Sequence, residues 1–110
     1  MPESWERGAL TEAVYYILLS LHTPMHGYAI MQNISKISGN RVQLGPGTLY
    51  GALNTLLEKY WIEDVGNNSQ SRKKEYIITD VGKKVFRQEI ERLQELLDIG
   101  RVIIKRQGEL

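Results

Sequence analysis

Two sets of side chains in this 110-residue chain are placed to do chemistry by contact. The first is Thr48, Tyr50 and Asn54, within Gly47-Thr48-Leu49-Tyr50-Gly51-Ala52-Leu53-Asn54, and the second is the run Arg72-Lys73-Lys74. Asn54 carries the donor and acceptor pair that matches adenine in the major groove, and Thr48 and Tyr50 reach phosphate or base edges. Three adjacent cations neutralise phosphate. Bond-making chemistry finds less to use. There is no cysteine, which removes disulfides, thiol nucleophiles and cysteine-based metal sites. His22 and His26 lie four apart, but Pro24 between them breaks the helix that would bring them to one face. Gly45-Pro46-Gly47 lacks the Gly-Lys-Ser/Thr ending of a phosphate loop. With no Ser/His/Asp order, paired carboxylates or metal-ligand cluster, neither an enzyme nor a bound metal or cofactor is expected.

The elements that must hold these residues follow from apolar spacing. Leu10, Ala13, Val14, Ile17, Leu18 and Leu21 recur every three or four residues, predicting a helix from Thr11 to His22 that Thr23-Pro24 stops. Ile30, Met31, Ile34 and Ile37 predict a second over His26 to Ser38, closed by Gly39-Asn40. Arg41-Val42-Gln43-Leu44 reads as a short link with one strand-like pairing. Gly45-Pro46-Gly47-Thr48 opens a third helix, whose Leu49, Leu53, Leu56, Leu57 and Tyr60 form an apolar stripe. Gly47, Tyr50, Gly51, Asn54 and Glu58 then share its outward face. Glycine at position 51 costs about 1 kcal/mol relative to alanine inside a helix, which suggests that something large approaches that face closely.

Trp61 to Gly66 and Lys73 to Thr79 are short and rich in β-branched and aromatic residues, separated by the turn-forming Asn67-Asn68-Ser69-Gln70-Ser71. They predict a β-hairpin with the basic run at its base. From Thr79, a good N-cap, helical periodicity continues to about Gln107, roughly 40 Å of helix. Three helices followed by a hairpin is the layout of a winged helix-turn-helix. The fold class is thus mainly α with a small hairpin and a long C-terminal helix. Residues 1–79 are expected to form the winged DNA-binding domain and 80–110 a dimerisation helix.

His26-Gly27-Tyr28, Gly47-Thr48-Leu49-Tyr50 with Leu53 and Leu57, and Arg72-Lys73-Lys74-Glu75-Tyr76 leading to Thr79 and Gly82 occur in that order. In this the chain resembles the PadR family of bacterial transcriptional regulators over nearly its whole length, and looks like the short subclass without a separate C-terminal domain. The resemblance implies a homodimeric winged-helix repressor on inverted-repeat operators. It implies DNA contacts at Thr48 and Tyr50, at Tyr28 on the preceding helix, and at Arg72, Lys73 and Lys74 on the wing. Two positions depart from the family pattern. Proline commonly follows the motif tyrosine, where this chain has Gly51, and glycine commonly precedes the wing, where it has Tyr60. A tyrosine there must avoid the left-handed conformation or accept strain of about 1 kcal/mol or more.

Phe86, Ile90, Leu93, Leu97, Gly100 and Ile104 make a heptad-like seam along the last helix, widened by Val85, Leu96, Ile99 and Ile103. So apolar a helix, running past the domain, leaves a large exposed patch on a monomer. A second subunit is expected to cover it, with Tyr15, Tyr16 and Leu18 of the first helix as its partner face. Gly100 either allows close approach or marks a weak point. A small aromatic or lipophilic effector between subunits, as the resemblance suggests, would be lined by Tyr15, Leu93, Leu96 and Leu97, all with an adequate core reading.

Composition bounds these readings. At 42% hydrophobic and 25% charged the chain has average globular make-up, and its length suits one small domain. The apolar stretch Ala13 to Leu21 is too short to span a membrane and the polar N-terminus is unlike a signal peptide, so a cytoplasmic protein is expected. Net charge is only +1. That total combines an acidic N-terminal segment with a locally basic wing. The main rival to a DNA regulator is a winged-helix adaptor for protein interaction, favoured by an apolar outward face and an acidic wing. Both features here have the opposite character.

Overall fold

The computed structural model describes residues 8–66 and 74–108. The elements in chain order are α1 (Glu12–Ser20), β1 (Met25–His26), α2 (Gly27–Ile37), α3 (Pro46–Glu58), β2 (Ile62–Asp64), β3 (Glu75–Ile78) and α4 (Asp80–Arg106). The helix starts follow their capping chemistry. Thr11 Oγ1 accepts from the Val14 amide at 3.1 Å, and Thr79 Oγ1 accepts from the Gly82 amide at 3.0 Å. At α3, Gly45 caps without a side chain and Pro46 takes the first helical position. His26 caps α2, its Nδ1 accepting from the Ala29 amide at 3.4 Å.

Two helix ends share one geometry. After α2, Gly39 adopts φ 62°, its amide bonds Lys36 O at 3.2 Å, and the Asn40 amide bonds Ser35 O at 2.7 Å. After α3, Tyr60 adopts φ 60°, its amide bonds Leu57 O, and the Trp61 amide bonds Leu56 O, both at 3.1 Å. These are paired Schellman closures with a left-handed residue one past the cap. Tyr60 therefore accepts the left-handed conformation that glycine usually supplies. Thr79 steadies it by donating its hydroxyl to Tyr60 O at 2.6 Å.

The sheet has three antiparallel strands in the order β1-β3-β2, where the sequence predicted two. Pro24 biases Thr23 toward extended backbone, and the chain leaving α1 runs along the open edge of β3. There Met25 pairs with Tyr76 and His26 with Glu75. The strand-like pairing expected at Arg41–Leu44 is absent. That link is held by side chains instead: Ser38 Oγ accepts from the Val42 amide at 3.0 Å, and Arg41 forms a two-pronged ion pair with Glu12 on α1.

One core fills the space between the three short helices, the sheet and the first turns of α4. It comprises Ile17, Leu18 and Leu21, Ile30 and Ile34, Leu49, Leu53 and Leu56, Trp61, Ile62, Tyr76 and Ile78, Val85 and Phe86. Gly82 is needed where α4 crosses the sheet. A Cβ there would run into the Trp61 carbonyl and come within 2.7 Å of Ile78 Cγ1. Past Glu89, α4 leaves the core and carries Ile90, Leu93, Leu96, Leu97, Ile99, Val102 and Ile103 exposed. Its 27 residues span about 40 Å.

Candidate nucleic-acid interface

The inward face of α3 is set by Leu49, Leu53 and Leu56, all buried. That leaves Gly47, Thr48, Gly51, Asn54 and Thr55 exposed along the opposite side. A Cβ at Gly47 or Gly51 would meet nothing within 4 Å, so neither glycine is required by the chain's own packing. The bare strip they leave lets a second surface come up to the α3 backbone. The Thr55 hydroxyl donates to Gly51 O at 3.2 Å. Thr55 was missed in the sequence because it falls between the outward series and the leucine stripe.

Tyr28 stands exposed in the first turn of α2. Tyr50 is different: its ring lies across Gly27, the first residue of α2, and it is 44% exposed. A Cβ on Gly27 would lie 2.6 Å from Tyr50 Cζ and still nearer the hydroxyl oxygen. The His-Gly-Tyr and Gly-Thr-Leu-Tyr stretches are therefore in contact. Tyr76 is buried at the centre of the sheet, where it pairs with Met25 on one side and Asp64 on the other. Burial chiefly pushes the Tyr76 phenol above its ordinary pKa, with Tyr50 and Asp64 adding to it.

Of the basic run, Lys74 is exposed at the start of β3, whereas Arg72 and Lys73 lie outside the described residues. No Lys or Arg stands on α3 itself. Lys59, just past it, places its ammonium 5.1 Å from the centre of the Trp61 ring. Arg41 is engaged by Glu12 and further acid-weakened by that carboxylate and by Tyr16.

The residues expected at a subunit interface divide into two groups. Ile90, Leu93 and Leu97 are exposed on α4, and Ile104 is half-exposed. Leu18 is fully buried in the chain's own core and has no surface to offer a partner, which corrects its assignment. Phe86 is corrected likewise: it packs inside the chain, 4.9 Å from the Tyr15 ring and 5.4 Å from His22 between centroids. Tyr15 is half-buried by that contact, and Leu19 is the apolar residue α1 leaves exposed. Tyr15, Leu93, Leu96 and Leu97, the expected effector lining, do not line the groove found along α4 among the described residues. That open groove, of about 1150 Å³, lies between Gly8–Leu10 and α4, lined in part by Val85, Glu89, Ile90 and Ile99. Glu89 anchors it: Arg92 donates twice to its carboxylate at 2.7 Å and the Leu10 amide once at 3.3 Å. Among the described residues no cluster of acids and histidines could hold a metal, and no helix is long and apolar enough to cross a membrane.

Three helices, an antiparallel wing and an outward-facing polar strip on the third helix define a winged helix-turn-helix of the kind found in transcriptional regulators. The profile of the transcriptional regulator PadR-like family matches residues 16–88, and the chain belongs to that family, one of regulators rather than enzymes. Solved structures agree. A transcriptional regulator of Thermoplasma acidophilum is 29% identical with a TM-score of 0.64, the match covering 84% of this chain and 90% of that one. A PadR family regulator of Eggerthella lenta superposes with a TM-score of 0.70 at 23% identity, over 92% of this chain and 87% of its own. An uncharacterised 37.1 kDa protein of transposon Tn4556 in Streptomyces fradiae is 36% identical over 73 residues, 66% of this chain. This chain spans only 20% of that protein's length.

Proposed function

We propose that the chain is a homodimeric repressor of transcription that binds an inverted-repeat operator in double-stranded DNA. The observation that carries this reading is the outward face of α3. Gly47, Thr48, Gly51 and Asn54 lie open there, with a bare strip at the two glycines that the fold itself does not need. In the major groove Asn54 hydrogen-bonds adenine, Thr48 takes a base edge or phosphate, and Gly51 lets the helix backbone come close. Tyr28 and the wing cations Arg72, Lys73 and Lys74 hold the flanking phosphates. The free half of α4 from Ile90 onward pairs with a second subunit, setting two reading helices at a fixed spacing. A small lipophilic or aromatic effector entering beside Leu93, Leu96 and Leu97 would loosen that spacing and release the DNA, in the cytoplasm where the operator lies.

Base readout and phosphate contact separate by mutation. Lys73→Ala and Lys74→Ala are expected to weaken binding to all duplexes alike and each lower the salt slope by about one. Asn54→Ala should cost about 1–3 kcal/mol against the cognate base pair and relax discrimination there. Fluorescence anisotropy against a panel of single-substitution duplexes reads both effects. Unchanged affinity and preference in all three variants would refute the assignment.

A further inference from the structure

Tyr50 differs from its neighbours on the outward side of α3, because its side chain is engaged within the fold. Its hydroxyl, the one side-chain atom that could bond a phosphate or a base edge, is the atom closest to Gly27. That places it against the first turn of α2, next to His26, which pairs with Glu75 of β3. The phenol thus ties the reading helix α3 to the α2 start carrying Tyr28, and, through His26 and its pairing with Glu75, to the strand β3 leading from the wing. Gly27 is buried and has no side chain where the ring must lie.

Resting on the DNA-binding reading, we infer that Tyr50 is a positioning residue. It sets the placement of α3 against α2 and the wing by packing on Gly27, and takes no hydrogen bond from DNA through its hydroxyl. The physical reason is rigidity. An aromatic ring has two side-chain torsions, and contact with Gly27 fixes where this one lies. Removing the ring leaves each reading surface intact while freeing their relative placement, and contacts that must be made simultaneously are lost when geometry slips.

The test uses the full-length protein and its own upstream DNA in anisotropy titrations, together with amide hydrogen exchange of the DNA-free protein. Tyr50→Ala should lower operator affinity about tenfold or more and speed exchange in Met25–His26 and Glu75–Ile78 before any DNA is added. Tyr50→Phe, which keeps the ring, should restore affinity to within about threefold and exchange to the wild-type pattern. Gly27→Ala should mimic Tyr50→Ala by displacing the ring, and add no further loss in the Gly27→Ala/Tyr50→Ala double variant. Thermal melts confirm that each variant folds. Tyr50→Phe binding as poorly as Tyr50→Ala would overturn the inference and make the hydroxyl a DNA ligand. So would unchanged exchange in free Tyr50→Ala. If the unaltered protein shows no preference for operator over random duplex, the DNA-binding reading falls too, a result distinct from either.

Discussion

At residue scale, Tyr60 shows a local rule broken with a visible compensation. It occupies the position after the α3 cap with φ 60°, where a Cβ is crowded against the backbone. Its ring is 76% exposed and gains little from packing, while Thr79 holds its carbonyl. Tyr60→Gly should therefore relieve strain at little cost in contacts. Part of the gain is offset by the greater freedom of glycine in the unfolded chain, leaving about 0.5–1 kcal/mol of added stability. A rise in melting temperature of a few degrees would show it; a fall would mean that the ring packs more than its exposure indicates. The residue pattern was legible in one dimension only. The outward series on α3 could be read from spacing, because a helix converts spacing into a face. The contact of Tyr50 with Gly27 could not, because it joins residues 23 apart through the angle between two helices.

At the scale of elements, caps and breakers carried most of the reading. Thr11, Pro46 and Thr79 mark helix starts where their side chains or ring satisfy the first turn. Strand β1 was missed because a two-residue strand has no periodicity; its pairing exists only because β3 presents an edge beside it. Leu18 and Phe86 lie in the chain's own core, whereas their spacing suggests a subunit seam, because apolar stripes look alike whichever surface they face. Glu89 is the residue of α4 least visible in sequence, an acid 6% exposed on a largely apolar face. The Arg92 hydrogen bonds, then that from Leu10, hold its carboxyl below the ordinary carboxylate range. Because the folded pKa is depressed, its contribution is present above the unfolded value. It is lost as pH falls through the lower folded value. Glu12, lowered by Arg41, acts in the same direction. Glu89→Gln should thus be less stable than wild type at neutral pH and lose less melting temperature between about pH 5 and 3. Parallel acid profiles for the two proteins would remove Glu89 from the stability balance.

At the scale of the whole molecule, the long free half of α4 sets what the chain must do with its surface. Seven large apolar residues from Ile90 to Ile103 are exposed on it, more than a soluble monomer ordinarily leaves in one patch. The proposed pairing with a second copy would cover them, and light scattering at micromolar concentration should give twice the 12.6 kDa chain mass. A monomer would contradict the pairing. The near-neutral charge of +1 then takes on a meaning at this scale. With no cation on α3, attraction to DNA depends on the wings, so sequence-independent binding should be modest and specificity should depend on two correctly spaced half-sites. The central claim is specific recognition of DNA by this face. Its most direct measurement is an anisotropy titration of the intact protein against its own upstream duplex and a scrambled duplex, at two salt concentrations. Expected is a complex tighter on the upstream DNA by about a thousandfold or more, with affinity falling steeply as salt rises. Equal affinity for both duplexes at both salt concentrations would contradict it.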